Sequence, residues 1–320
     1  MTAFLRIEGL TRRYGDRVAL DNLTLEVARG EIFGVLGPNG AGKSTTFSLL
    51  TGMLAPDSGR LLVDGVPQSP LDPRFRARIG VVFQRPSLDG KLTARENLEL
   101  GAALYGIPRR EARPRIEEML ALFDLTERAG ETTERFSGGM CRRLELGRVL
   151  LSEPEILIMD EPSAGLDQAS LRRFWLQLKA IRRQREMTIL LTTHQPEEAE
   201  HCDRLAVLDG GKLIAQGTPD ELRKRVGGDV ISIDADEPEA LLEAIRVELA
   251  LTATILDGRI VIECPRAHEV IPRLVERFPD GRLRGVGMRP PSLGDVFVKL
   301  TGRNLREAEE SAEKSGKMSN

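Results

Sequence analysis

The segment from residue 37 to residue 45, GPNGAGKST, constrains the fold of this chain more than any other. It fits the pattern G-x-x-x-x-G-K-[ST], whose glycines let the backbone turn so that successive N–H groups point at anionic oxygens. An apolar run of strand length, Glu31–Leu36, precedes the segment, and Thr46–Leu54 follows it with apolar residues at helical spacing. We therefore expect a strand, a phosphate-binding loop and a helix, in that order.

Two side chains of this loop carry the expected chemistry. Lys43 should reach the β- and γ-phosphates of a nucleotide, and the hydroxyl of Ser44 should ligate Mg²⁺. The helix that starts near Lys43 adds the positive end of its dipole. A nucleotide with its magnesium ion is thus the predicted ligand.

The composition is that of a globular protein. The 320 residues leave room for one large domain and a smaller one, and the formal net charge of −3 gives no electrostatic case for a nucleic-acid partner. The three cysteines show no CxxC spacing and are expected to be free thiols of a reducing cytosol. Neither a signal peptide nor an apolar run of about 20 residues is present, so any membrane role should come from a partner.

The first 36 residues are expected to form strands of an antiparallel sheet, because apolar and polar residues alternate in Leu5–Glu8 and in Leu23–Val27. Between these runs lies a turn that contains Tyr14. This tyrosine either stacks on a purine ring or covers the edge of the sheet, and the residues alone leave both interpretations open.

Three further strands are predicted to end in polar side chains. Ile79–Phe83 ends at Gln84, Ile156–Met159 ends at Asp160 and Glu161, and Thr188–Thr193 is followed by His194. Ligands bind at the carboxyl ends of strands in an open α/β sheet. Two adjacent carboxylates there are costly unless they meet a cation. We expect one carboxylate to serve the metal ion and the other to orient water.

A mostly helical insert, about residues 86–150, separates the first of these ends, at Gln84, from the second, at Asp160. It includes Ser137, Gly138 and Gly139, which precede a helical pattern. A serine N-cap followed by exposed N–H groups would form a second anion-binding site.

The organisation changes near residue 226. The pattern of residues 226–302 predicts strands and helices in a ferredoxin-like β-α-β-β-α-β order. Cys264 and His268 lack metal-binding spacing, so no catalytic site is expected there. The polar segment 303–320 is expected to be disordered. The predicted domains are therefore residues 1–225 and 226–302.

Taken together, these motifs resemble the ATP-binding subunit of ABC transporters. Within that superfamily, the chain is similar to the multidrug and antibiotic exporter ATPases of the daunorubicin-resistance type. The resemblance covers residues 1–225 by the order of the motifs, and residues 291–302 resemble the C-terminal element of the exporter subgroup. It implies an α/β P-loop core with an antiparallel β-subdomain and a helical subdomain, followed by a small α+β domain.

The resemblance also implies a role for each motif residue. Tyr14 stacks on adenine, Gln84 contacts Mg²⁺ and water, Asp160 binds the metal, Glu161 is the general base and His194 is the switch histidine. The Walker A loop comprises Gly37, Pro38, Asn39, Gly40, Ala41, Gly42, Lys43, Ser44 and Thr45. Ser137, Gly138 and Gly139 form the signature, which contacts the γ-phosphate held by the opposing subunit, and Asp167 lies in the D-loop. Phe136 and Met140 depart from the commoner Leu and Gln of that signature.

The expected function is hydrolysis of ATP to ADP and phosphate, coupled to export through a separate membrane permease. Two chains, identical or different, would sandwich two nucleotides at the cytoplasmic face of the membrane. One alternative is an importer ATPase with a C-terminal regulatory domain. Another is an ABC-type ATPase acting on nucleic acid or ribosomes, although no long coiled coil lies between Lys43 and Asp160. The third is a non-hydrolysing regulator, which the intact Glu161 and His194 disfavour.

Overall fold

A computed structural model describes residues 3–256, 258–279 and 281–302. The chain divides into two compact units, which meet between Gln216 and Gly217. This division lies before the sequence-based boundary at 225, because the short helix Pro219–Arg223 contacts the last helix of the second unit. The expected disorder of segment 303–320 concerns residues outside the described part of the chain.

The first unit carries two sheets and the helices around them. Its strands are β1 (Ala3–Tyr14), β2 (Arg17–Ala28), β3 (Ile32–Leu36), β4 (Ser58–Val63), β5 (Val66–Gln68), β6 (Ile79–Val82), β7 (Ile156–Asp160), β8 (Thr188–Thr193), β9 (Arg204–Asp209) and β10 (Lys212–Gly217). Its helices are α1 (Lys43–Leu50), α2 (Pro73–Arg76), α3 (Ala94–Leu104), α4 (Arg109–Leu122), α5 (Gly138–Leu150), α6 (Gln168–Arg185) and α7 (Pro196–Ala199), with 3₁₀ turns at Thr126–Arg128 and Thr133–Arg135.

The antiparallel sheet has the strand order β2-β1-β4-β5. Its strands alternate as the sequence predicts, because Leu23, Leu25 and Val27 are buried while the residues between them face solvent. The expectation of half-buried antiparallel strands is thus confirmed for the runs Leu5–Glu8 and Leu23–Val27, whereas Ile32–Leu36 belongs to the parallel sheet.

The second sheet has the order β10-β9-β3-β8-β7-β6, and its neighbours from β9 to β6 run parallel. Strands β3 and β8 are buried along their whole length, as expected for a parallel sheet covered on both faces. Because these strands share one direction, their carboxyl ends lie at one edge, and the loops that follow them meet there.

Two elements of this unit end earlier than the sequence pattern indicates. Helix α1 ends at Leu50 instead of continuing to Leu54, because Gly52 takes the left-handed conformation, with a φ of +74°. Only glycine fits there, since a Cβ would lie 2.2 Å from the carbonyl oxygen of Pro70. Leu54 nevertheless packs against the core. Strand β6 ends at Val82, so that Gln84 lies in the loop beyond it.

The helical insert is formed by α3, α4 and α5, which pack against one another. Helix α3 begins with a capping box, in which Thr93 accepts from the Glu96 N–H and the Glu96 carboxylate accepts from the Thr93 N–H. The buried residues of the insert share one hydrophobic cluster with α6 and the parallel sheet. The insert is therefore anchored to the sheet that carries the predicted site.

The second unit contains α8 (Pro219–Arg223), β11 (Asp229–Ala235), α9 (Pro238–Leu249), β12 (Ala253–Leu256), β13 (Arg259–Cys264), α10 (Ala267–Arg277), β14 (Leu283–Arg289) and α11 (Leu293–Thr301). Its antiparallel sheet has the order β12-β13-β11-β14. Helices α9 and α10 share a core with one face of this sheet. In neither unit is a described helix both long enough and apolar enough to cross a bilayer.

Candidate nucleotide-binding and catalytic site

The loop after β3 has the form that its sequence predicts. Helix α1 begins at Lys43, and Gly42 caps it with a φ of 101°. A Cβ on Gly42 would lie 2.8 Å from the carbonyl oxygen of Ala19, so only glycine fits. The buried ammonium group of Lys43 donates to the carbonyl oxygens of Gly37 at 2.8 Å and Pro38 at 3.0 Å. The loop thus wraps around the side chain of Lys43.

A pocket opens on the outer side of this loop. Its lining consists of Tyr14, Arg17, Ala19, Asn39, Gly40, Gly42, Lys43, Ser44 and Thr45. The Tyr14 ring is half exposed beside this lining, with the Arg12 guanidinium 5.2 Å from its centroid. Of the other predicted loop residues, Gly37 and Pro38 supply carbonyl oxygens to Lys43, and Ala41 is buried in the core.

The sequence-based prediction missed Arg17. This residue pairs with Tyr14 across the Gly15–Asp16 turn, which brings its side chain to the same pocket. The register of the β1–β2 hairpin is the signal that places it, because residues that face each other across a two-residue turn lie side by side. Arg17 thus adds a cation to the lining.

The adjacent carboxylates at the end of β7 have different surroundings. Asp160 accepts a hydrogen bond from the hydroxyl of Thr192 on neighbouring β8. Glu161 is in the left-handed region, with a φ of 44°, and its N–H donates to the carbonyl oxygen of Thr192 at 3.1 Å. The two carboxylates thus have different partners, although the residues are consecutive.

Glu161 is the point at which the predicted catalytic residues meet. Its Oε1 lies 3.0 Å from Nδ1 of His194 and 3.6 Å from Nζ of Lys43. Its Oε2 accepts from Nε2 of Gln84 at 2.9 Å. Four loops, which follow β3, β6, β7 and β8, therefore converge on one carboxylate.

The environment shifts the pKa values of the two carboxylates in opposite directions. Burial raises the pKa of Asp160 above its ordinary value, and the charge of Glu161 adds to this effect against the hydrogen bond from Thr192. Burial also opposes ionisation of Glu161, but the contact with His194 and the charge of Lys43 outweigh it and lower the pKa of Glu161. Glu161 is thus ionised at neutral pH, as a base must be.

The Ser137-Gly138-Gly139 segment begins α5. Ser137 is the N-cap, and its hydroxyl accepts from the Met140 N–H at 3.3 Å. Ser137 and Gly138 are exposed, and neither belongs to the lining of the pocket around Gly40 and Lys43. Asp167 similarly caps α6 by accepting from the Ser170 N–H at 2.9 Å. The second predicted anion site therefore lies apart from the first within one chain.

The sequence-based prediction also missed a buried ion pair on α5. The guanidinium of Arg142 lies 2.7 Å from the carboxylate of Glu145, and both side chains are almost fully buried. The signal is their spacing, because Arg142, Glu145, Leu146 and Val149 occupy one stripe of the helix. Charged residues within an apolar stripe indicate a buried polar contact.

Comparison with known proteins identifies the family. Residues 20–164 match the family described as ABC transporter, and residues 217–301 match the C-terminal domain of DrrA1-3-like ATP-binding proteins. The chain is 40% identical over 312 residues to the daunorubicin resistance ATP-binding protein DrrA3 of Streptomyces coeruleorubidus, covering 95% of this chain and 98% of that protein. The chain belongs to the ABC transporter ATP-binding family. As a family member, it binds ATP and hydrolyses it.

Other relatives of this ABC protein match it along almost its whole length. The Nod factor export ATP-binding protein I of Cupriavidus metallidurans is 41% identical, covering 96% of this chain and all of that protein. The linearmycin resistance ATP-binding protein LnrL of Bacillus subtilis is 37% identical, covering 95% of this chain and all of that protein.

Solved structures of ABC ATPases share the fold of this chain. CbiO1 of Clostridium perfringens, part of the ABC transporter complex cbiONQ, has a TM-score of 0.65 at 29% identity and covers 78% of this chain and 97% of its own. The ATP-binding cassette MJ0796, in a dimeric post-hydrolysis state with ADP and phosphate, has a TM-score of 0.59 at 28% identity and covers 67% of this chain and 98% of its own. The predicted P-loop ABC ATPase fold is thus confirmed.

Proposed function

We propose that this ABC ATPase hydrolyses Mg²⁺-ATP between two opposed subunits to power export of a drug, antibiotic or lipid-like substrate through a separate permease. The convergence of Lys43, Gln84 and His194 on Glu161 beside the phosphate-binding loop carries the proposal. Relatives that match along both units are named as resistance and export proteins, which supports export. They do not favour the importer, nucleic-acid or ribosome alternatives.

The chemistry assigned to the chain is transfer of the γ-phosphoryl group to water. Glu161, which is ionised at neutral pH, accepts a proton from the attacking water as the general base. His194 and Gln84 hold the carboxylate in place from either side. Lys43, now turned toward Gly37 and Pro38, binds phosphate oxygens together with the N–H groups at the start of α1.

The donor set at this edge fits Mg²⁺. In the described residues, no group of three or more His, Cys, Asp or Glu side chains could hold a metal ion alone. This agrees with Mg²⁺, which is usually bound by one or two carboxylates together with substrate phosphates. Asp160 would hold it with Ser44 and Gln84, and a cation there would offset the burial that raises the pKa of Asp160. When bound, Mg²⁺ neutralises charge on the phosphates.

The position of the signature supports a dimer. The phosphate pocket of one chain is lined from its β1–β2 hairpin and the 39–45 loop, whereas Ser137 and Gly138 are exposed elsewhere on the same unit. Two N–H clusters that serve one γ-phosphate must then come from two chains. Either a second copy or a related chain would complete the site, and the permease would hold the pair at the cytoplasmic face of the membrane.

Reconstitution of the full chain with its cognate membrane protein tests this proposal. We expect hydrolysis of ATP that requires Mg²⁺ and stops with EDTA, and ATP-dependent accumulation of substrate inside inside-out vesicles. A chain that stays monomeric with ATP and leaves Mg²⁺-ATP intact beside its permease would contradict the proposal. Co-purification with a substrate-binding protein would instead indicate import.

A further inference from the structure

The buried guanidinium of Arg142 joins α5 to the two loops that carry Gln84 and Glu161. Nε donates to the carbonyl oxygen of Pro162 at 2.7 Å. One terminal nitrogen donates to the carbonyl oxygen of Phe83 at 2.5 Å and to Glu145 at 2.7 Å. The other donates to the carbonyl oxygens of Gln84 at 3.1 Å and Glu161 at 3.3 Å. Every N–H of the side chain thus has an acceptor.

This arrangement depends on the shape of arginine. Its planar fork presents five donors at fixed angles, whereas the ammonium group of lysine presents three from one atom. Four of the five acceptors are main-chain oxygens, and they belong to the Gln84 loop and the Glu161 loop in equal shares. The side chain therefore fixes the backbone on which each catalytic residue stands.

Glu145 completes the attachment from the same helix. Its Oε2 accepts from Arg142, and its Oε1 accepts from the N–H of Ser87 at 3.0 Å and from the Ser87 hydroxyl at 3.2 Å. Arg148, one turn further along α5, donates to the carbonyl oxygen of Ser87 at 2.9 Å. The segment from Phe83 to Ser87 is thus bound to α5 at both ends.

A buried ion pair is costly to desolvate and often adds nothing to stability compared with apolar residues. General stability therefore does not account for placing Arg142 and Glu145 in the stripe of Leu146 and Val149. Their partners give the better explanation, because Gln84 and Glu161 must keep their side chains at hydrogen-bond distance.

We infer that Arg142 is a positioning residue for hydrolysis, which with Glu145 fixes the Gln84 and Glu161 loops to the helix that begins at the signature. The inference rests on the proposed function, because it assigns Arg142 to the site that carries hydrolysis. Among the residues that the structure describes, Arg142 does not line the nucleotide pocket, and none of its hydrogen-bond partners lies between Gly37 and Thr45.

The test compares Arg142→Lys with Arg143→Lys in the full chain. Arg143 is the next residue of the same helix and also donates to a main-chain oxygen, that of Phe123 at 2.6 Å, but it has no hydrogen bond to either catalytic loop. We expect Arg142→Lys to lower kcat by about 100-fold, the effect of misplacing reacting groups by roughly 1 Å. The Kd for ATP measured in EDTA, without Mg²⁺, should remain that of wild type, and Arg143→Lys should keep the wild-type kcat.

Amide hydrogen exchange gives a readout that does not depend on turnover. Arg142→Lys should raise exchange in segments 83–87 and 161–165 and leave segment 37–45 unchanged. Unchanged exchange in segments 83–87 and 161–165 would overturn the inference, whether or not the wild-type chain hydrolyses ATP. Failure of the wild-type chain to hydrolyse ATP would contradict only the proposed function. A lower thermal midpoint with unchanged kcat per folded molecule would also overturn it, because Arg142 would then be merely structural.

Two double variants complete the design. Arg142→Met with Glu145→Leu removes both buried charges at similar volume and is expected to fold, since such replacements are often neutral or stabilising. It should lose kcat as Arg142→Lys does, and a wild-type kcat in it would overturn the inference. In a Gln84→Ala background, Arg142→Lys should cost less than it does alone, because residues of one network act non-additively. Fully additive losses would contradict the inference.

Discussion

Gln84 and Glu161 are joined side chain to side chain, with Nε2 of Gln84 donating to Oε2 of Glu161 over 2.9 Å. The two residues follow neighbouring parallel strands, β6 and β7, whose register brings Val82 beside Met159. The glutamine thus occupies one carboxylate oxygen, while His194 lies against the other. These contacts fix the position of the Glu161 carboxylate from both sides, and the carboxylate remains ionised.

Replacing Glu161 by Gln should separate binding from turnover. The amide has the shape of the carboxylate but cannot accept a proton, and a general base typically contributes about 10²–10⁴-fold to a rate. We expect turnover to fall by that order, while ATP is still bound and two chains stay closed around it. Steady-state phosphate release, labelled-ATP titration and size-exclusion chromatography with ATP measure the three effects.

An Asp72→Asn variant is the control for that experiment. Asp72 caps α2 by accepting a hydrogen bond from the N–H of Arg74 at 2.8 Å, and it belongs to none of the nucleotide-binding or catalytic motifs. It should keep the wild-type hydrolysis, because an asparagine caps a helix about as well. Wild-type turnover in Glu161→Gln would refute the assignment of Glu161 as the base.

Removing the ammonium group of Lys43 should weaken ATP binding directly. Lys43 is buried at the base of the loop, and its Nζ atom can exchange the carbonyl oxygens of Gly37 and Pro38 for phosphate oxygens. Hydrogen bonds to charged groups are worth about 1.5–3 kcal/mol, so Lys43→Ala should raise the Kd for ATP by about 10- to 100-fold. Titration with a fluorescent ATP analogue measures the change.

The matched control for Lys43 is Lys212→Ala. Lys212 has an exposed side chain paired with Asp21 at 3.4 Å, and it does not line the phosphate pocket. Its removal should leave the Kd for ATP unchanged. Equal affinities in Lys43→Ala and wild type would show that this lysine does not bind the phosphates.

Much of the site could be predicted because the parallel sheet gathers the ends of its strands. Apolar runs that stop at Gln84, Asp160 and His194 fix which residues lie at that edge, whatever the exact ends of the strands. Strand β6 ends earlier than predicted, yet Gln84 still reaches Glu161. Continuous apolar runs are typical of parallel strands buried on both faces, and the shared direction of such strands was sufficient to place these residues at one edge of the sheet.

The contacts of Arg142 could not be predicted in the same way. Arg142 binds oxygens from two loops distant in sequence, and a single sequence gives no distance between its helix and those loops. The early end of α1 has a similar cause, because the carbonyl oxygen that crowds Gly52 belongs to Pro70. A hydrophobic pattern indicates burial along one helix or strand. The contacts of Arg142 and the end of α1 depend instead on which distant main-chain atoms pack against that element.

Gly42 and Gly65 form a matched pair for testing the fit of the phosphate-binding loop. Both have a positive φ, but a Cβ on Gly42 would lie 2.7 Å from Leu20 and 2.8 Å from the oxygen of Ala19, whereas one on Gly65 would meet nothing within 4 Å. Gly65→Ala should cost only the left-handed conformation, about 1–2 kcal/mol. Gly42→Ala should cost more and also weaken ATP binding. Equal thermal midpoints and equal ATP affinities in the two variants would contradict the tight fit.

The second unit should lose stability in acid through Asp295. Its carboxylate is buried in the cap of α11, where it accepts from both terminal nitrogens of Arg289 and from the N–H and hydroxyl of Ser292. Burial opposes the charge, but these hydrogen bonds outweigh it and lower the pKa of Asp295. A lowered pKa contributes stability above the unfolded value of about 3.9, and this contribution is lost as the pH falls through the folded pKa.

Asp295→Asn should therefore destabilise α11 at neutral pH by about 1–3 kcal/mol, the usual range for hydrogen bonds to a charged group. The difference between variant and wild type should shrink as the pH falls below about 4, because the wild-type carboxylate then becomes protonated. Amide hydrogen exchange of segment 293–301 at several pH values measures it. Asp234→Asn is the control, because Asp234 pairs with Arg259 on the surface, where an ion pair is worth only about 0–1 kcal/mol. A difference for Asp295→Asn that stays constant from neutral to strongly acid pH would show that the carboxylate charge does not stabilise the cap.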